Sequence, residues 1–165
     1  MKTGRKGIKT VLLVIFLLFL IVFAGFLRDY LFKSINALLR AWDYDQDYFL
    51  PAPLSFLENY EYDTLVNMKW MLTFLFSFIY LFISIASLKM VFGDHRYRRL
   101  CIYTYAAVML LSGIFIGCGM LFSKPEKMYE FARYLMGMAQ SPLVLMILIP
   151  ALKLSEKEKN KSKSS

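Results

Sequence analysis

Residues 71–92 read MLTFLFSFIYLFISIASLKMVF, twenty-two positions with a single charge, Lys89, near the end. A helix needs about 20 predominantly apolar residues to cross the hydrocarbon core of a bilayer. A spanning β-strand would be about half as long and would alternate apolar with polar positions, which this run does not do. The stretch therefore reads as a membrane-crossing helix, with Lys89 long enough to snorkel to the interface.

Three further runs flank it, at 10–27, 100–122 and 134–152. Positions 11–27 carry no charge and follow Lys2, Arg5, Lys6 and Lys9. Basic residues before an apolar run also mark a secretory signal peptide, and Val22-Phe23-Ala24 offers a cleavage point. The helical pattern continues past that point and more spans follow, which favours an uncleaved signal anchor. Composition agrees with a lipid environment. Apolar residues make up 58% of the 165 and aromatics 17%, more apolar surface than a chain of this size hides from water. The expected fold is all-α: a polytopic membrane protein of four transmembrane helices, residues 1–152 forming one membrane domain. An amphipathic or irregular outer segment, 28–69, joins helices one and two, and a Lys/Ser-rich tail, 153–165, is expected to be disordered.

Charge sets the direction. Of the 20 Lys and Arg, 13 lie in the N-terminus, in the loop with Lys89, Arg96, Arg98 and Arg99, and in the tail with Lys153, Lys157, Lys159, Lys161 and Lys163. The other side holds 7, namely Arg28, Lys33, Arg40, Lys69, Lys124, Lys127 and Arg133. Excess Lys and Arg marks the cytoplasmic side, so both termini are expected there, with 28–69 and 123–133 outside. The formal charge of +8 reads as membrane electrostatics and lipid contact. No nucleic-acid-binding module accompanies it, so nucleic acid is not an expected partner.

In the outer segment, Leu31, Ile35, Leu38, Leu39 and Trp42 recur at helical spacing, with Lys33, Ser34, Asn36 and Arg40 off that stripe. The pattern suits a helix lying along the membrane surface, with Trp42 at headgroup level. The other reading is that the first helix simply runs on. Asp43-Tyr44-Asp45-Gln46-Asp47 starts like a calcium loop, but Tyr48 stands where the turn glycine belongs and Leu54 where the bidentate glutamate belongs. Solvated loop acids, or a partner-binding loop, fit better than a calcium site.

Polar residues inside the spans are the candidate contact sites. Thr73, Ser77, Tyr80, Ser84 and Ser87 follow one another at intervals of four, three, four and three, so five hydroxyls share one stripe. Small hydroxyls often bond back to their own helix carbonyls. The regular stripe points further, to a helix–helix seam within the protein or with a partner. Gly113 and Gly117 form a small-xxx-small pair. In the fourth run Arg133, Gly137, Gln140 and Ser141 share a face and Pro142 follows. A membrane-buried amide needs a hydrogen-bond partner, and Pro142 frees a carbonyl one turn earlier, near Met138, predicting a kink. Arg133 and Gln140 lack an evident internal partner, which makes this face a candidate docking surface for another membrane protein.

Catalytic chemistry is not expected. His95 is the one histidine and lies in the cytoplasmic loop, while Cys118 lies toward the outer end of the third run, roughly 30 Å away on a regular helix. A thiol nucleophile needs a base within hydrogen-bond reach. Two cysteines and one histidine on opposite sides make no metal set, so neither a metal nor a cofactor is expected. Cys101 and Cys118 are about 25 Å apart along a helix, too far for a disulfide.

Taken together, several stretches resemble the small accessory membrane proteins of bacterial exosortase systems of the F and X types. They are Arg28-Asp29-Tyr30-Leu31-Phe32-Lys33 after the first helix, Asn67-Met68-Lys69-Trp70 opening a serine-bearing span, and Arg133-Tyr134-Leu135-Met136-Gly137-Met138-Ala139-Gln140-Ser141-Pro142 running on to Ile149-Pro150-Ala151. The resemblance implies a non-catalytic subunit of the bacterial cytoplasmic membrane that associates with an exosortase-type protein-sorting protease. A small transporter or electron-transfer subunit is the competing class, although the spans carry few conducting polar groups or cofactor ligands. A structural oligomerising protein is the third.

Overall fold

A computed structural model describes residues 3–44, 50–93, 95–121 and 125–163, all of them helix, turn or loop. Helix α1 (Thr3–Tyr44) is followed by a 3-10 helix (Ala52–Asn59), α2 (Tyr62–Phe92), α3 (His95–Leu121), α4 (Pro125–Ala139) and α5 (Leu143–Lys163). Among the described residues three helices are long and apolar enough to cross a membrane, and four spans result if α4 and α5 count as one broken crossing.

Helix α2 is the spine, packing against α1, α3, α4 and α5. This placement follows from its hydroxyl stripe. Between Met71 and Leu88 the rest of the helix is apolar all round, so lipid satisfies every face except the one that carries hydroxyls. Gly93 ends α2 in the left-handed region at φ 70°, its N–H bonding the Lys89 carbonyl at 2.9 Å. A residue without a Cβ adopts that cap at no steric cost, and it turns the chain back into α3. Phe92 and Tyr97 close the turn with ring centroids 4.7 Å apart.

The outer segment is not a separate surface helix. Helix α1 continues unbroken to Tyr44, 42 residues and about 63 Å long, roughly twice the hydrocarbon thickness. No Gly or Pro interrupts residues 26–50, so nothing in the sequence stops it. The stripe expected to face lipid headgroups finds a protein cover instead. Ile35, Leu38 and Leu39 are buried against Leu50, Leu54, Leu57 and Leu65, with Leu31 at the margin. Pro51 and Pro53 fix the start of the 3-10 helix, and the Glu58 carboxylate accepts the Leu50 N–H at 2.6 Å. Trp42 stays exposed. Most of the acidic run, Asp45 to Asp47, lies outside the described residues.

The fourth run is broken more sharply than a kink. Helices α4 and α5 meet at 64° across Gln140, Ser141 and Pro142. Pro142 has no N–H to offer the Met138 carbonyl, and Ser141 takes its place from both its backbone N–H (3.2 Å) and its hydroxyl (2.9 Å). The same hydroxyl accepts the Leu143 N–H at 3.4 Å, so Ser141 caps the start of α5, while the Pro142 carbonyl accepts the Met146 N–H at 2.9 Å. Helix α5 carries on through the Lys-rich stretch to Lys163. Its Lys and Glu residues are good helix formers, and cations near a helix C-terminus favour the dipole.

Candidate functional site

The five hydroxyl residues of the α2 stripe are all buried inside the chain. Thr73 and Ser77 bond back to the carbonyls of Lys69 (2.9 Å) and Thr73 (2.8 Å). Tyr80 reaches α1, donating to the Ile21 carbonyl at 3.3 Å. Gly25 makes that approach possible, since a Cβ there would sit 3.3 Å from the Tyr80 hydroxyl oxygen. Ser84 and Tyr105 hydroxyls lie 3.0 Å apart, tying α2 to α3 beside the fully buried Cys101. Among the described residues no buried side-chain polar atom lacks a partner. The stripe is a seam internal to this protein.

Gln140 closes the top of that seam. It is 3% exposed, and its Oε1 accepts the Arg28 Nε–H at 3.0 Å while its Nε2 donates to the Thr73 carbonyl at 3.2 Å. Arginine only donates and a carbonyl only accepts, so one orientation of the amide satisfies both. The amide joins α1, α2 and the α4–α5 break. This overturns the expectation that Gln140 has no internal partner. The partner is Arg28, whose guanidinium also pairs with Asp29 at 3.3 Å and lies 5.6 Å from the Phe32 ring centroid.

Beside this bridge α1, α2, α3 and α4 converge on a cavity of about 430 Å³. Four cations line it, Arg28, Lys33, Lys69 and Arg133, with one carboxylate, Asp29. Tyr62, Trp70 and Tyr129 form its aromatic rim, and Phe32, Ile116 and Met136 give it apolar wall. Asp29 is already paired with Arg28. Lys33, Lys69 and Arg133 make no ion pair or side-chain hydrogen bond among the described residues.

The structure thus brings Thr73, Arg133, Gly137 and Gln140 to one cavity and leaves Ser77, Tyr80, Ser84 and Ser87 along the seam below it. Ser141 is a helix cap. Sequence reasoning missed Arg28, Lys33 and Lys69 as members of the site, although the charge count had already placed all three with Arg133 on one side of the membrane. It also missed Ser112, buried and donating to the Ala132 carbonyl at 3.0 Å, which holds α3 to α4. Gly113 and Gly117 are not part of a seam here. A Cβ on either would meet nothing within 4 Å.

Both cysteines are free, Cys118 half-buried and Cys101 buried in the core. Among the described residues no group of three His, Cys, Asp or Glu side chains is placed to hold a metal. Compared with known proteins, the chain matches no family model, no curated protein and no solved structure.

Proposed function

We propose that this chain is a non-enzymatic accessory subunit of the bacterial cytoplasmic membrane that associates with an exosortase-type protein-sorting protease. It crosses four times with both termini cytoplasmic, the broken α4–α5 unit forming the fourth crossing. The sequence resemblance supplies the partner, and the Lys/Arg asymmetry supplies the direction.

The observation that carries the binding role is the small-residue pair on the open face of α3. The apolar windows of α1 and α3 are 11% and 17% buried within the chain, against 44% for α2, and of the two open helices α3 carries the glycine pair. Gly113 and Gly117 lie on its exposed side between Leu110 and Leu121. Small residues at that spacing allow a second membrane helix to approach closely, with its backbone near theirs. The hydroxyl seam and Gln140 are engaged internally, so the partner surface moves from the fourth run to α3.

Leucine at both Gly113 and Gly117 should abolish co-purification with the protease while leaving the melting temperature of the isolated protein unchanged, because neither site has an internal neighbour. Cys118→Ala should leave sorting-signal processing intact, since the nucleophile belongs to the partner. Native membranes from which no exosortase-type protease co-purifies with the unmodified chain would overturn this assignment.

A further inference from the structure

The cavity beside Gln140 holds cations that the protein's own packing does not use. Lys33, Lys69 and Arg133 face it without a carboxylate of their own, and the fourth cation, Arg28, is fixed in place by Gln140. Lys69 is half-buried while Lys33 and Arg133 stay exposed, and like charges held this close repel one another and attract an anion between them. Structural cations near spans usually extend singly into the headgroup layer, whereas these come from three helices and converge.

We propose that this cavity is a binding site for a phosphate group, carried by an anionic phospholipid. Arg133 and Lys69 are its anchoring cations, and Arg28 is a third donor oriented by Gln140. Phosphate suits the donor set because its several oxygens accept from guanidinium and ammonium groups together. A lipid suits the walls. Trp70, Tyr62 and Tyr129 are residues that settle at headgroup level, and Ile116 and Met136 offer an apolar surface to the first carbons of a chain. Basic pockets between membrane helices bind anionic headgroups by this combination. The inference concerns a ligand rather than a protein partner, and it holds whichever protein the chain assists.

The test uses the full chain in neutral detergent micelles, titrated with phosphatidylglycerol or phosphatidylcholine and read by native mass spectrometry. The wild type should retain phosphatidylglycerol about tenfold more tightly than phosphatidylcholine, the size of one charge-assisted contact. The double variant Lys69→Gln/Arg133→Gln should lose that preference. Arg98→Gln/Arg99→Gln, which removes the same charge from the opposite end of the bundle, should keep it. Arg133→Lys should retain most of the preference and so separate charge from shape.

An added titration with inorganic phosphate identifies the carrier. Phosphatidylglycerol that stays bound in millimolar phosphate supports the lipid. Its displacement supports the phosphate site but assigns it to a soluble ligand. A wild type that shows no preference and does not bind phosphate overturns the proposal. So does an Arg98/Arg99 control that loses as much as the cavity pair.

Discussion

The buried seam along α2 and the cavity at its head, where Lys33 and Arg133 stay exposed, are both polar regions of an apolar bundle, yet they are resolved in opposite ways. Every seam hydroxyl from Thr73 to Ser84 has a partner inside the chain, in its own helix or on α1 or α3. The cavity's Lys69 and Arg133 have none among the described residues. Gln140 stands at the boundary and belongs to both, completing the seam through Thr73 while holding Arg28 at the cavity wall. The difference separates two uses of polarity in a membrane. Closed hydrogen bonds fix which helices meet, whereas gathered charges without counter-charges mark where something else is received.

The largest expected effect comes from filling the seam. Ser77 and Ser84 are at most 1% exposed, so leucine at both positions has no room. Overpacking typically costs about 1–3 kcal/mol per site, and the double variant should therefore unfold several degrees earlier in micelles or fail to accumulate. Phe78, on the exposed side of the same helix, should tolerate leucine within about 0.5 kcal/mol. A stable double variant beside a damaged Phe78→Leu would reverse the assignment of faces.

A smaller effect tests how tightly the seam is closed at Gly25. Alanine there gains up to about 1 kcal/mol of helix propensity but presses on the Tyr80 hydroxyl. Gly25→Ala should be slightly destabilising in the wild type. In a Tyr80→Phe background, where the pressed atom is gone, it should become stabilising. The same sign in both backgrounds would mean that α1 and α2 do not meet at this point.

Much of this arrangement was legible in the sequence, for identifiable reasons. The periodicity of Thr73, Ser77, Tyr80, Ser84 and Ser87 is a property of one helix, so it can be read without knowing the neighbours. The break at Ser141-Pro142 is likewise local, because cap and proline chemistry act within a turn. What was misread depends on distant segments. The stripe from Leu31 to Leu39 looks the same whether lipid or protein covers it, and the cover comes from Leu50, Leu54, Leu57 and Leu65, further along the chain. Gln140 looked unpartnered because Arg28 lies 112 positions away in the chain. The cavity was hidden for the same reason, since its four cations lie on three helices and look in sequence like separate flanking charges.

The most direct test of the contrast between closed seam and open cavity is a pair of double-mutant cycles on unfolding free energy in micelles. For Arg28→Met with Gln140→Leu, the coupling should be favourable by about 0.6–1.7 kcal/mol, the range found for polar contacts between membrane helices. For Lys69→Gln with Arg133→Gln, each single change should leave stability the same or raise it, and the coupling should be near zero or repulsive. A favourable coupling between Lys69 and Arg133, or none between Arg28 and Gln140, would contradict the account.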